Sequence, residues 1–241
     1  MMQLAFRKYL NNKTLINLLI STIPVSFIAG NLIINLNVIL IILTSIIIFR
    51  EKFLDFKFNL LDKFLIILFL FSLSTGIVNY LISDQNNIFV EKNFVKSILF
   101  SRYLLFYFAI RVIIEKKIFD FRLFFGACSL CVIFVSLDLI FQLISGSDIF
   151  GNPITSHKLS GPFGSEQIAG SYLQRFSIFL FFLIPCFVEF KNKNYLVLIL
   201  SGFFILVFFS MLIAGNRMPI ILFLLMFFML FLYEKKLRKF S

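Results

Sequence analysis

Long apolar runs separated by short polar breaks follow one another along almost the whole chain. Each run has at least 17 residues, which is enough for an α-helix to cross the hydrocarbon core of a bilayer. Only Gly30 and Asn31 separate the first two runs, so a single broken or re-entrant hairpin is an alternative there. The runs predict an all-α, polytopic transmembrane helix bundle of about eight spans, in which residues 1–241 form one domain. The predicted helices are residues 14–30, 32–49, 64–82, 98–114, 122–145, 171–189, 195–213 and 217–233.

The composition agrees with this prediction. Hydrophobic residues make up 60% of the 241 positions and charged residues only 15%, against about 25% charged residues in soluble domains. The net charge of +11 comes from basic residues that are dispersed among short loops. This distribution does not predict a nucleic-acid partner, and membrane lipids are the expected surroundings.

Neither the cysteines nor the histidine predicts a metal or a cofactor. The stretch C-S-L-C, from Cys128 to Cys131, has the C-x-x-C spacing of redox and zinc sites, but it lies inside an apolar run and has no second pair of ligands. We interpret both cysteines as small packing residues. His157 is the single histidine and has no companion ligands, so we expect a solvated loop residue.

The positions of the basic residues predict the orientation. If the N-terminus is cytoplasmic, the inner segments hold 17 of the 23 Lys and Arg residues, which is the bias of the positive-inside rule. We therefore expect both termini on the cytoplasmic side. The six other basic residues, on or near the outer face, are Lys92, Lys96, Arg102, Lys158, Arg175 and Arg217.

Three of these six are arginines inside predicted helices. Counted from the outer helix ends, Arg102 lies about 8 Å deep, Arg175 about 6 Å deep and Arg217 in the first turn. A cation at such a depth costs free energy unless it snorkels, forms a pair or faces water. Two interpretations stay open: snorkelling to lipid head groups, or an anion site in which guanidinium groups bind phosphate oxygens.

Two polar side chains occupy the outer part of the fifth predicted helix. Asp138 lies about 10 Å below the outer end, and Gln142 follows four residues later on the same face. An unpaired carboxylate at that depth is costly, so we expect Asp138 to pair with Arg102 or Arg175. The pair would be structural, or Asp138 would help to position a substrate.

The longest outer loop, residues 146–170, is rich in turn-forming residues such as S-G-P-F-G at 160–164. It has no G-K-[ST] and no preceding strand, which excludes a P-loop and a dinucleotide-binding turn. Glu166 stands just ahead of the sixth predicted helix. A carboxylate at this position either complements the helix dipole or takes part in catalysis.

Three short motifs in this half of the chain share the order and spacing of one family. They are D-L-I-F-Q at 138–142, K-L-S-G-P-F-G-S-E-Q-I-A-G-S-Y-L-Q-R-F at 158–176 and I-A-G-N-R-M-P at 213–219. They resemble the O-antigen ligase and O-antigen polymerase superfamily of bacterial inner-membrane proteins. The resemblance covers roughly residues 130–233 well and the earlier helices only in general character.

The resemblance implies a glycosyltransferase of lipopolysaccharide biosynthesis that works at the periplasmic face of the inner (cytoplasmic) membrane without a metal or a cofactor. Its partners would be an undecaprenyl pyrophosphate-linked glycan as donor and a lipid A core or growing glycan as acceptor. Arg175 and Arg217 match the motif arginines that hold the pyrophosphate leaving group, and we expect them, with Glu166, to be catalytic. The residues expected to bind substrate are Arg102, Asp138, Gln142 and Lys158.

Two features depart from the family pattern. Lys158 stands where the family usually has arginine, which keeps the charge but loses the planar fork. The chain also ends after the eighth predicted helix, whereas family members continue into a large periplasmic loop, which in ligases carries a histidine proposed as general base. We therefore expect a fragment, a split gene product completed by a second chain, or a degenerate relative that is inactive alone. Two other functions stay open: a transporter or flippase for an anionic lipid-linked substrate, and a non-catalytic membrane scaffold.

Overall fold

The computed structural model of the protein describes residues 2–50, 53, 57–82, 88–154, 158–187 and 193–233. In these residues the regular structure is helical, apart from one isolated bridge between Ser147 and Pro153. The α-helices are α1 Met2–Ser21, α2 Ile23–Ala29, α3 Asn31–Phe49, α4 Leu60–Ile82, α5 Ile88–Phe100, α6 Arg102–Glu115, α7 Phe121–Ser145, α8 Ala169–Phe187, α9 Lys193–Ile213 and α10 Arg217–Tyr233.

Several of these helices are long and apolar enough to cross a membrane. Within the described residues there are five, or six if the two parts of a pair bent by 43°, Asn12–Ser21 and Ile23–Ala29, count as one span. The apolar helices Ala169–Ile184 and Arg217–Leu230 are shorter. These helices confirm the prediction of an all-helical, multi-pass membrane protein, whereas eight spans and two cytoplasmic termini stay predictions. The five long helices are Asn31–Phe49, Leu60–Ile82, Glu91–Glu115, Phe121–Ser145 and Asn194–Ile213.

Two of the eight predicted helices are interrupted. Pro24 lies in the first turn of α2, and its missing N–H and bulky ring end the regular hydrogen bonding of α1 at the bend. Ser101 separates α5 from α6 within one apolar stretch. This stretch starts at Glu91, eleven residues before Arg102, so Arg102 lies about 16 Å along the helix from its first residue. The depth of the three arginines in the membrane stays a prediction.

The residue contacts divide the chain into two compact units. The first unit comprises Met1–Ile20 and Ile34–Phe119, and the second comprises Ser21–Ile33 and Asp120–Ser241. Each unit therefore contains residues from two separate stretches of the chain. The prediction that residues 1–241 form one domain stays a prediction.

The first unit has its buried core where α3 meets α6. Val38 and Ile42 of α3 cluster there with Phe108 and Ala109 of α6. Helix α4 packs on α5 and α6, but only 11% of its apolar stretch is buried. Large apolar side chains without protein contacts are typical of a helix that faces lipid.

The second unit is built around α7, in which nine of the 25 residues are buried. The Asp120 side chain caps the start of α7 by accepting from the backbone N–H groups of Arg122 and Leu123. Gly146 ends the helix with a φ of 82°. Helices α8 and α9 pack against α7, and α10 packs against α8 and α9. Cys128 and Cys131 are both buried in this core, which confirms their interpretation as packing residues.

Candidate functional site

An open depression of about 600 Å³ lies in the second unit at the starts of α8 and α10. It brings together the two motifs at 158–176 and 213–219, which are far apart in the sequence. None of its lining residues is acidic, and two of them, Lys158 and Arg217, are cations. The lining residues are Lys158, Gln167, Ser171, Gly215, Asn216, Arg217, Met218 and Pro219.

The two motifs contact each other directly beside the depression. The Asn216 side-chain amide donates to the backbone carbonyl of Gln167 at 2.9 Å. A Cβ on Gly170 would lie 3.3 Å from the Cβ of Asn216, so glycine permits the close approach of the two helix starts. Gly215 turns the chain into α10 with a φ of +71°, a conformation that favours glycine.

Two helix N-termini border the depression, because Gln167 and Ser171 flank the start of α8 and Arg217 is the first residue of α10. The first backbone N–H groups of a helix have no partner inside the helix and carry a partial positive charge. Phosphate groups bind at such positions. Together with Lys158 and Arg217, the helix starts favour an anion over a neutral or cationic ligand.

Arg217 and Arg175 are both exposed. Within the described part of the chain, neither side chain has a hydrogen bond or an ion pair. Arg217 lines the depression, whereas Arg175 does not. Arg175 follows Ser171 by four residues in α8, which places both on the same helical face, one turn apart. In the structure, Lys158 and Arg217 therefore line the same depression, whereas Arg175 lies one turn further along α8.

Glu166 lies outside the depression and precedes the first residue of α8, Ala169. It is exposed, and its Oε1 accepts from the Asn31 side-chain amide at 3.1 Å. The bond ties the loop to the segment Ser21–Ile33 of the same unit. Helix capping and catalysis both stay predictions for this carboxylate.

Asp138 and Gln142 are completely or almost completely buried, with 0% and 1% exposure. Both accept from the backbone of the following loop: the N–H of Ile149 donates to Asp138 Oδ1 at 2.8 Å, and that of Gly161 donates to Gln142 Oε1 at 2.9 Å. The expected ion pair of Asp138 with Arg175 is wrong, because the carboxylate is enclosed beneath the loop while Arg175 is exposed. A role in substrate binding stays a prediction for both residues.

Arg102 belongs to the first unit. Its Nη2 donates to the side-chain oxygen of Asn35 at 2.8 Å and to the Tyr103 hydroxyl at 3.2 Å. The guanidinium carbon lies 5.0 Å from the centre of the Tyr103 ring, within cation–π range. Asn35 and Tyr103 are thus the partners found for Arg102, and its role in substrate binding stays a prediction.

A second polar cluster, which the sequence reasoning missed, lies in the first unit. Asp62 is fully buried, forms an ion pair with Arg111 and accepts from the Tyr107 hydroxyl at 2.6 Å. Arg111 also pairs with Glu115 at 3.2 Å. The signal in the sequence was weak, because Asp62 falls in the polar break just ahead of the predicted start of the third helix at residue 64.

Metal binding has no support in the described ranges, where no group of three or more His, Cys, Asp or Glu residues is arranged to hold an ion. The expectation for His157 falls outside the described residues.

No protein-family model matches the chain, and neither the curated proteins nor the solved structures contain a match to it. The resemblance to O-antigen ligases and polymerases therefore rests on the three sequence motifs alone.

Proposed function

We propose that the protein is a membrane glycosyltransferase of the O-antigen ligase and polymerase kind. It transfers or polymerises glycan from an undecaprenyl pyrophosphate carrier at the periplasmic face of a bacterial inner membrane. The observation that carries this proposal is the depression of the second unit, which Lys158 and Arg217 both line beside two helix N-termini and which no acidic residue lines. A diphosphate head group carries the charge that such a surface attracts.

The proposed topology supports this assignment. The five long helices, the bent pair and the two shorter apolar helices would together supply eight spans. With both termini in the cytoplasm, the loop that carries Lys158 and the start of α10 lie on the periplasmic side. Lipid-linked glycans are used on that side, so the depression faces the compartment that holds the donor and the acceptor.

The mechanism is electrostatic. Lys158 and Arg217 hold the pyrophosphate oxygens, and Arg175, one turn further along α8, contacts the adjacent part of the carrier head group. When the acceptor hydroxyl attacks the anomeric carbon, the sugar–phosphate bond breaks and negative charge grows on the departing pyrophosphate. Cations fixed in place stabilise that charge in the transition state. Glu166 is the proposed base for the proton of the acceptor hydroxyl.

Alanine substitution of the arginines tests the proposal in a strain whose surface glycan depends on this protein. Removal of one group that stabilises charge in the transition state lowers turnover by about 100-fold or more, so we expect Arg217→Ala and Arg175→Ala to abolish complementation. The matched control is Lys96→Gln, which removes an exposed cation of α5 outside the depression and should leave the glycan unchanged. Normal glycan assembly in both alanine variants, at wild-type protein levels, would contradict the proposal.

A reconstituted system distinguishes glycosyl transfer from transport of the same anionic lipid. Purified protein in liposomes is given a lipid-linked sugar and an acceptor glycan, and both the new glycosidic bond and the side of the membrane occupied by the lipid are measured. We expect bond formation without net movement of the lipid. Movement without bond formation would favour a transporter or flippase instead.

A further inference from the structure

The loop between α7 and α8 is attached to one face of α7 at two points. Ile149 donates its N–H to Asp138, and Gly161 donates its N–H to Gln142. The two acceptors are four residues apart and therefore lie on the same side of the helix. The first half of the loop and the second half are thus each held by one buried side chain.

The chain on both sides of these attachment points is tightly fixed. In the first half, Asp148 is buried and accepts from the Asn152 backbone N–H at 2.6 Å and from its side-chain amide at 2.7 Å, which closes a compact turn. In the second half, a Cβ on Gly161 would lie 3.3 Å from the Leu139 side chain. The loop backbone at Gly161 therefore rests directly on α7.

Lys158 lies between the two attachment points, three residues before Gly161. The residues that follow it, Leu159, Ser160 and Pro162, are all buried, whereas Lys158 is exposed and lines the depression. Lys158 is thus held at the depression by a loop segment whose next residues are buried.

Both acceptor side chains also keep an unsatisfied polar atom. Asp138 Oδ2 and Gln142 Nε2 are buried and have no hydrogen-bond partner among the described residues. Apolar residues of similar size would avoid this cost, so stability of the core alone does not explain the two polar groups. Their bonds to the loop backbone do explain them.

We propose that Asp138 and Gln142 are positioning residues, which act through the loop backbone to fix Lys158 at the anion-binding depression and do not contact the substrate. The inference deepens the proposed function and rests on it for the identity of the ligand. It replaces the direct substrate contact expected from the sequence with an indirect role.

Trypsin reports on the loop independently of any activity, since Lys158 is the only Lys or Arg between Arg122 and Arg175. The full chain is digested in nanodiscs, and cleavage between Lys158 and Leu159 is followed by mass spectrometry. Gln142→Leu removes the acceptor of Gly161 and should speed this cleavage by about threefold to tenfold, the value of one hydrogen bond. Leu143→Ala, at an exposed neighbouring position, is the control and should leave the rate unchanged.

Asp138→Asn distinguishes positioning from substrate contact. The amide oxygen of asparagine still accepts from Ile149, so we expect wild-type cleavage and wild-type binding of farnesyl pyrophosphate. Asp138→Leu removes the acceptor and should raise cleavage and weaken binding together, as Gln142→Leu does. Unchanged cleavage in Asp138→Leu and Gln142→Leu would overturn the inference. So would loss of binding in Asp138→Asn at wild-type cleavage, because the carboxylate would then contact the ligand itself.

If the wild-type chain binds no farnesyl pyrophosphate, the proposed function fails. The cleavage rates of the variants still decide whether Asp138 and Gln142 hold the loop.

Discussion

Asp62 is a buried carboxylate whose two oxygens both have partners. Oδ1 pairs with Arg111 and accepts from Tyr107, while the backbone N–H of Asn59 donates to Oδ2 at 2.5 Å. Arg111 in turn donates to the carbonyl of Lys57 at 2.9 Å. The cluster joins the start of α4 to the end of α6 inside the first unit. Because its hydrogen bonds are used within the protein, we interpret it as a structural ion pair.

Removal of this buried charge should destabilise the first unit strongly. Asp62→Asn leaves the Arg111 side chain, of which 13% is exposed, without its buried counter-charge, and the free energy of unfolding should fall by about 3 kcal/mol. Glu115→Gln is the matched control, because the Glu115 side chain is 42% exposed and an exposed pair contributes about 1 kcal/mol or less. Thermal unfolding in detergent measures both. Equal falls in unfolding temperature in Asp62→Asn and Glu115→Gln would contradict the interpretation as a structural ion pair.

Residue partners could be predicted only where they depend on the local sequence. Cys128 and Cys131 are small residues within an apolar run, a pattern that favours packing between helices, and both are buried. The partner of Asp138 could not be predicted, because no sequence pattern reveals that a loop folds back so that Ile149 reaches the carboxylate. Charge alone favours a cation as partner, whereas in the structure a backbone N–H is the hydrogen-bond donor to one carboxylate oxygen.

The contact between α8 and α10 determines the shape of the depression. Gly170 stands opposite Asn216 and Ala214, and a Cβ added at Gly170 would lie 3.3 Å and 3.6 Å from their Cβ atoms. The Asn216 side chain is also held by its bond to the carbonyl of Gln167. A Cβ at position 170 therefore requires Asn216, in the turn that leads into Arg217, to shift by a few tenths of an ångström.

We expect Gly170→Ala to weaken anion binding and to lower the unfolding temperature. The new methyl group would push Asn216 away and move Arg217 relative to Lys158. Gly126→Ala is the matched control, since a Cβ there meets no atom within 4 Å and alanine favours a helix by up to about 1 kcal/mol. Binding of farnesyl pyrophosphate and thermal unfolding of both variants check this prediction. A smaller loss of affinity and a smaller fall in unfolding temperature in Gly170→Ala than in Gly126→Ala would contradict it.

The helices themselves were largely predictable from the sequence, because hydrophobic runs of membrane length specify them directly. Each of the eight predicted runs contains helix, although the helical structure of the fourth begins at Ile88 and not at residue 98. The missed segment carries Glu91, Lys92 and Lys96, and these charges interrupt the hydrophobic pattern without interrupting the helix. The meeting of the two motifs at the depression could not be predicted from periodicity, which carries no information on which helix ends adjoin.

At the scale of the whole molecule, the proposed orientation places the loop between α7 and α8 outside the cytoplasm. Alkaline phosphatase, which is active only outside the cytoplasm, fused after Pro153 should therefore be active. The same enzyme fused after Lys117, between α6 and α7, should be inactive. Green fluorescent protein at the same two positions should give the opposite pattern. Phosphatase activity only after Lys117 would reverse the topology and remove the periplasmic site.

The central claim is that Lys158 and Arg217 form one binding site for a pyrophosphate lipid. Isothermal titration of the full chain in nanodiscs with farnesyl pyrophosphate tests it most directly, with farnesol as the ligand that lacks the phosphates and Lys96→Gln as the control variant. We predict binding of the pyrophosphate but not of farnesol, and a loss of affinity of about tenfold or more in both Lys158→Gln and Arg217→Ala, as expected for a bond between charged groups. Wild-type affinity in both variants, or equal binding of farnesol, would contradict the account.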